Sequence, residues 1–134
     1  MATIETVYEG GLRTRATHMA SREMLVTDAP VDNRGRGEAF SPTDLLSASL
    51  GSCMLTIMGI AAESHQLNLE GTRVEITKVM AANPRRVAEI HVEFFMPPHS
   101  FGDHARRILE KAAETCPVAL SLHPDLKQVL MFNW

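Results

Sequence analysis

Residues 41–62 read SPTDLLSASLGSCMLTIMGIAA, and no Asp, Glu, Lys or Arg occurs from position 45 to position 62. Three signals at the start of this stretch agree on a helix. Ser41 is a good N-cap, because its hydroxyl can accept one of the unpaired amide hydrogens of the first turn. Pro42 suits the first helical position. Asp44 meets the positive end of the helix dipole. The helix is expected to run to His65 or Gln66. Its length makes it a candidate membrane span. Against that, Ser47, Ser49, Ser52 and Thr56 leave it only moderately apolar, and no cluster of Lys or Arg flanks it. A span would also divide six strands that are expected to share one sheet. The reading is therefore a core helix, buried on nearly all sides. Ser49, Ser52, Thr56 and Gly59 form a stripe of small residues on one face; Leu46, Leu50, Cys53, Ile57 and Ile60 form another. The small stripe admits a second helix at close range, and that partner can be the same helix of a second subunit.

Short alternating stretches surround this helix. Residues 2–10, 12–19 and 23–30 alternate and end at Gly, Ser or Pro, so they read as strands; 31–40 is a loop. Residues 68–82 and 86–97 are rich in β-branched and aromatic residues and are joined by Asn83 to Arg86 as a hairpin. Ser100 is the expected cap of a helix over 101–115. Pro117 breaks that helix and begins a short third one over 116–123. Residues 127–134 are a last strand. The order is βββ-α-ββ-α-α-β. Strands and helices are segregated, so the class is α+β, with 1–134 as a single domain.

With 134 residues the chain is long enough to bury a core without a disulfide or metal staple. A net charge of -3 points to neither nucleic acid nor an anionic membrane surface. The opening MATIETVYEG has no basic segment followed by an apolar one, so no secretory signal is expected and the reading is cytoplasmic.

Only two cysteines are present. In a reducing compartment they are not expected to form a permanent staple, though a transient disulfide is possible. Cys53 sits mid-helix on an apolar face, where a small buried hydrophobe is the plain alternative to a reactive thiol. Cys116 sits where a helix restarts, and a helix N-terminus is expected to lower a thiol pKa. If the two meet, one thiolate can attack a peroxide and become a sulfenic acid, which the other converts to a disulfide. An arginine near Cys53 would stabilise its thiolate. The candidates are Arg13 and Arg15, which share a strand face, and Arg34 and Arg36 in the loop. Glu38 is a candidate carboxylate to pair with an arginine. The histidines, His99 and His104 among them, show no metal-ligand spacing. Met54, Met58, Met80, Met96, Phe94 and Phe95 are either plain core or the lining of an apolar pocket near Cys53.

The central stretch, followed by LEGTRVEI and then by CPVALSL, resembles the OsmC/Ohr family of osmotically induced and organic hydroperoxide resistance proteins. The contexts LGSC and CPV and the opening YEGGLRTRATH carry the resemblance, and the element order matches over essentially the whole chain. It implies an intertwined homodimer with sites at the subunit interface, each holding two cysteines, an arginine and a glutamate. It implies reduction of organic hydroperoxides, with no bound cofactor and with a lipoylated protein or other dithiol as reductant. By the resemblance Cys53 is the peroxidatic thiol and Cys116 the resolving one. The GGLR setting favours Arg13, with Glu38 as its carboxylate. The family's peroxidases carry glutamate directly after the helix-starting proline, where this chain has Thr43. Asp44 is one step further, turned by about 100°. That departure places the chain nearer the broad OsmC-like branch, and motivates a second reading as a non-catalytic dimeric protein that binds a small apolar ligand.

Overall fold

Apolar residues recurring at a period of two set the strands, and one long uncharged run sets the central helix. The computed structural model describes residues 1–98 and 101–134. Its elements are β1 (Ile4–Gly10), β2 (Arg13–His18), β3 (Met24–Asp28), α1 (Pro42–Ser64), β4 (Arg73–Ala81), β5 (Arg86–Phe95), α2 (Asp103–Glu114), α3 (Pro117–Ser121) and β6 (Lys127–Asn133). The class is α+β and the order is the one expected from sequence. The expected single sheet is corrected: β1-β2-β3 form one sheet and β4-β5-β6 another. The reason lies in the connections. Short turns join β1, β2 and β3, so they pair with one another, and the 23 residues of α1 separate them along the chain from the β4–β5 hairpin.

The chain divides into two compact units, Met1–Leu46 and Ser47–Trp134. In the first, β2 is the central strand of an antiparallel meander, with Tyr8 opposite Thr14 and Arg13 opposite Asp28. Gly10 and Gly11 turn β1 into β2 at φ +83° and +61°, a left-handed backbone that glycine adopts without a Cβ clash. The buried residues of this unit are Thr27, Asp28 and Ser41, all polar. Ile4, Val7, Tyr8, Met24 and Phe40 stand exposed in the single chain. The unit has no buried apolar side chain of its own.

Helix α1 begins as the sequence signals predict, with one addition. The Asp44 amide donates to Ser41 Oγ at 3.0 Å, and the Ser41 amide donates back to Asp44 Oδ2 at 2.9 Å. Serine and aspartate thus cap each other reciprocally, satisfying two otherwise orphaned donors. Further along, the buried face is Ser47, Leu50, Gly51, Met54, Met58 and Ala62. This corrects the apolar face read from sequence. Leu50 is buried, but Leu46 and Ile60 are exposed, Ile60 by 57%. Nor is the helix enclosed on nearly all sides, since Ser49, Ser52, Thr56 and Glu63 are also exposed. Hydrophobicity varies little around this helix, so packing against the sheet selects the buried stripe. Gly51 faces β4: a Cβ there would clash with Ile76 Cδ1. By length and composition α1 could cross a membrane. Here Leu50, Met54 and Met58 are fully enclosed in the core of the second unit.

That core joins α1 to Ile90, Val92 and Phe94 of β5 and to Leu109 and Ala113 of α2. Strand β5 pairs antiparallel with β4 and parallel with β6. A parallel pair needs a crossover, which α2 and α3 supply. Phe94 stacks on Phe132 at 4.4 Å between ring centroids, and Phe132 on Trp134 at 5.7 Å. The Trp134 indole donates to Glu110 Oε1 at 3.0 Å, tying the end of the chain to α2. The expected cap, Ser100, lies outside the described residues; α2 starts at Asp103 with Gly102 as N-cap and no side-chain cap. Replacing Leu50 by Ala should lower unfolding free energy by about 3 kcal/mol in urea titration, whereas Glu63→Gln should stay within about 0.5 kcal/mol.

Candidate active site

Cys53 lies midway along α1, half-buried between the core face and the exposed face. Cys116 follows the end of α2. Proline 117 cannot continue that helix but can open the next, so α3 restarts there and Cys116 becomes its N-cap. Its sulfur takes the place of the usual serine oxygen and accepts the Ala119 amide hydrogen at 3.4 Å. Cys116 has no solvent exposure. Both cysteines are free thiols. They are brought together: the Cys53 side chain is near enough to act on the Cys116 thiol.

This proximity changes the electrostatics expected of Cys116. Burial pushes its thiol pKa up, and the neighbouring Cys53 side chain pushes it further in the same direction. The Ala119 and Val118 amides pull it down, but not enough to reverse the shift. The expected lowering by a helix N-terminus is therefore corrected. A five-residue helix offers little dipole, and desolvation outweighs it. Cys116 is thereby kept as a neutral thiol.

The cationic candidates all belong to the first unit. Arg13 Nε donates to Asp28 Oδ1 at 2.7 Å and Nη2 donates to Asp28 Oδ2 at 2.8 Å. Nη2 also lies 3.7 Å from Glu38 Oε2. The predicted pair, Arg13 and Glu38, is thus brought together, but a third residue dominates it. Asp28 is fully buried and also accepts the Glu38 amide hydrogen at 3.2 Å. The Arg13 fork holds the Asp28 carboxyl below the usual carboxylate range, against the opposing effect of burial, and Arg36 adds to the lowering. Asp28 in turn holds the Arg13 proton more firmly than usual. Sequence reasoning passed over Asp28. The available signal was register, since antiparallel pairing sets Arg13 directly opposite Asp28. Arg15 is engaged by Glu9 at 3.0 Å, Arg34 ends the turn Val31–Asn33, and Arg36 lies over Gly11.

Thr43, at the position of the family glutamate, lies 3.2 Å from Ser41 through their hydroxyls. Asp44 is occupied in capping. Met54, Met58 and Phe94 have no exposure, so they are core and not pocket wall. Phe95 lies under Arg73, 4.2 Å from ring centroid to guanidinium carbon. Among the described residues no three His, Cys, Asp or Glu side chains gather as a metal set; His99 lies outside them.

Three comparisons bear on this geometry. A family model described as OsmC-like protein matches residues 35–128. A candidate osmotic stress induced and detoxification response protein from Psychrobacter arcticus 273-4 is 50% identical, covers 99% of this chain and 96% of its own, and superposes with a TM-score of 0.95. An organic hydroperoxide resistance protein OsmC from Legionella pneumophila shares the fold at 18% identity, with a TM-score of 0.78 over 100% of this chain and 98% of its own. A candidate organic hydroperoxide resistance protein from Vibrio cholerae, solved with captopril in one active site, does so at 14% identity and a TM-score of 0.76, over 99% and 92%. No curated protein sequence matches the chain.

The two shifted acids set opposite limbs of a stability profile. Asp28 is depressed in the folded state, so its contribution is complete above the unfolded carboxyl pKa of about 3.9 and is lost as pH falls through the folded value. Cys116 is raised, so folding binds a proton and stability falls as pH rises past the ordinary thiol value of 9.0. Urea midpoints measured across pH should show Asp28→Asn flattening the acid limb and Cys116→Ala flattening the alkaline one.

Proposed function

The chain belongs to the OsmC family, and on that premise we propose that it is a thiol-dependent peroxidase acting on organic hydroperoxides. The observation that carries the reading is the proximity of Cys53 and Cys116, side chains separated by a long stretch of chain yet neighbours in the fold. Solved relatives named as organic hydroperoxide resistance proteins share that fold.

In the proposed cycle the Cys53 thiolate attacks the terminal peroxide oxygen of ROOH. An S–O bond forms and the O–O bond breaks. The alkoxide takes a proton and leaves as ROH, and Cys53 becomes a sulfenic acid. Cys116 then attacks the Cys53 sulfur, forming a disulfide and releasing water. An external dithiol of lipoyl type returns both thiols by exchange and is itself oxidised to a disulfide. Arg13, with Glu38 near its guanidinium, is assigned the stabilisation of the thiolate and of the negative charge developing on the peroxide. The proposed setting is a cytoplasmic homodimer. Support for the dimer comes from the first unit, which exposes Ile4, Tyr8, Met24 and Phe40 and buries no apolar side chain. Apolar surface left in that state calls for a partner. Sedimentation should give twice the 14.8 kDa chain mass.

Thr43 favours a second reading, a dimeric binder of a small apolar ligand with inert cysteines. Activity separates the two. With cumene hydroperoxide and dihydrolipoamide, Cys53→Ser should lose peroxide consumption entirely. Cys116→Ser should accumulate a sulfenic acid on Cys53 that dimedone traps. Equal consumption by wild type and Cys53→Ser, with a ligand retained through purification, would establish the binder instead.

A further inference from the structure

Strand β5 begins ahead of its parallel neighbour. Arg86 opens β5, but the pairing with β6 starts only at Glu89, opposite Lys127. Beside Arg86, Val87 and Ala88 the sheet therefore lacks its third strand, and the chain leading into β6 passes there instead. The result is a recess of about 420 Å³ between the β4–β5 turn and residues 123–126. Small-molecule sites fall in the range of about 300 to 1,000 Å³. The whole recess belongs to the Ser47–Trp134 unit, and neither cysteine lines it.

Both walls are held from within. On one, the Leu126 amide donates to the His123 carbonyl at 3.0 Å and closes a tight turn. Pro124 occupies the second place of that turn, where its fixed φ is favourable. The Asp125 amide donates to His123 Nδ1 at 3.0 Å. A ring nitrogen that accepts carries no proton, so in the neutral imidazole the hydrogen sits on Nε2, which becomes a donor. On the other wall, Arg86 Nη1 donates to the carbonyls of Ala82 at 3.2 Å and Pro84 at 2.8 Å. These bonds tie one corner of the guanidinium to the hairpin turn. Its Nε and Nη2 edge makes no hydrogen bond or ion pair among the described residues. Two parallel N–H groups on such an edge match the two oxygens of a carboxylate.

Charge and lining select the class of ligand. The recess offers one permanent cation and one neutral donor, which suits a monoanion better than a doubly charged phosphate ester. Asp125 carries the opposing charge, but its side chain is 94% exposed and water screens it. Half-buried Val87, Ala88 and Leu126, with the Pro84 ring, supply apolar surface. We propose that this recess binds a small organic monocarboxylate with an apolar body. The carboxylate meets the Arg86 Nε and Nη2 edge and the His123 Nε2–H; the body lies on Val87, Ala88 and Leu126. The site is separate from the cysteine pair and stands whether or not the chain is a peroxidase.

The probe is hydrocinnamate, titrated at neutral pH into the isotopically labelled full chain and followed by amide chemical shifts. Saturable shifts should centre on Val87, Ala88 and Leu126, with a Kd of about 1 mM, the affinity expected of so few atoms at modest efficiency. Propionate, which lacks the ring, and hydrocinnamide, which lacks the charge, should each bind about 10-fold more weakly or worse. Arg86→Gln should weaken hydrocinnamate by about 10-fold. His123→Ala, at an exposed turn, should weaken it by about threefold, and serves if Arg86→Gln does not fold. Asp125→Asn keeps the amide and removes a like charge, so binding should hold or tighten. No saturable shift at these residues overturns the proposal. So does hydrocinnamide binding as well as hydrocinnamate, or unchanged affinity in a folded Arg86→Gln or in His123→Ala. Binding weakened by Asp125→Asn also overturns it, because the recess would then be recognising an ammonium group.

Discussion

The second unit depends on one seam, where Leu50, Met54, Met58 and Ala62 of α1 lie against Ile90, Val92 and Phe94 of β5. Each of these side chains is removed from water, and burial of this kind is the main favourable term in folding. The seam fixes the rotation of α1 about its axis. That rotation puts Cys53 at the margin, half-buried, one position before Met54 in the core. Gly51 belongs to the same constraint, because a larger residue would meet Ile76. The aromatic stack of Phe94, Phe132 and Trp134 and the Trp134–Glu110 bond set the far side of the core, and with it α2. Where α2 ends, Pro117 forces a restart, and the residue before it is delivered to Cys53. Packing energetics and sulfur chemistry are therefore joined: a change that rotates α1 would part the two thiols.

Two of the buried polar residues show how such burial is satisfied by partners. Ser41 is enclosed and exchanges hydrogen bonds with Asp44 at the start of α1. Asp28 is enclosed and filled by Arg13 and the Glu38 amide. Both lie in the unit that buries no apolar side chain, so polar satisfaction organises these 46 residues where hydrophobic burial does not. Cys116 is the contrasting case. It is buried with only weak donors about its sulfur, and it keeps its proton in consequence.

Much of this was legible in the amino acids. Ser41, Pro42 and Asp44 mark a helix start whose chemistry is local, and the structure adds only that the capping is mutual. Pro117 marks a restart for the same local reason. The order of elements along the chain followed from alternation and from turns at Gly, Ser or Pro. What was not legible depended on long-range geometry. Residues 45–62 are so uniformly uncharged that periodicity could not choose the buried stripe; contact with β5 chose it, and Ile60 was left outside. The division into two sheets turns on which strands find each other, a matter of connection length and not of composition. The importance of Asp28 needed the β2–β3 register. The direction of the Cys116 shift needed its burial, which outweighs the helix end that the sequence does display.

The central claim is that Cys53 and Cys116 of one chain form a working redox pair. It is tested most directly by treating the reduced protein with one equivalent of cumene hydroperoxide, digesting without reductant, and mapping the peptides by mass spectrometry. The account predicts one dominant cross-linked species, Cys53 joined to Cys116 of the same chain, with both free thiols lost together and recovered by dihydrolipoamide. Two thiols still titratable after complete denaturation, with the peroxide unconsumed, would contradict it.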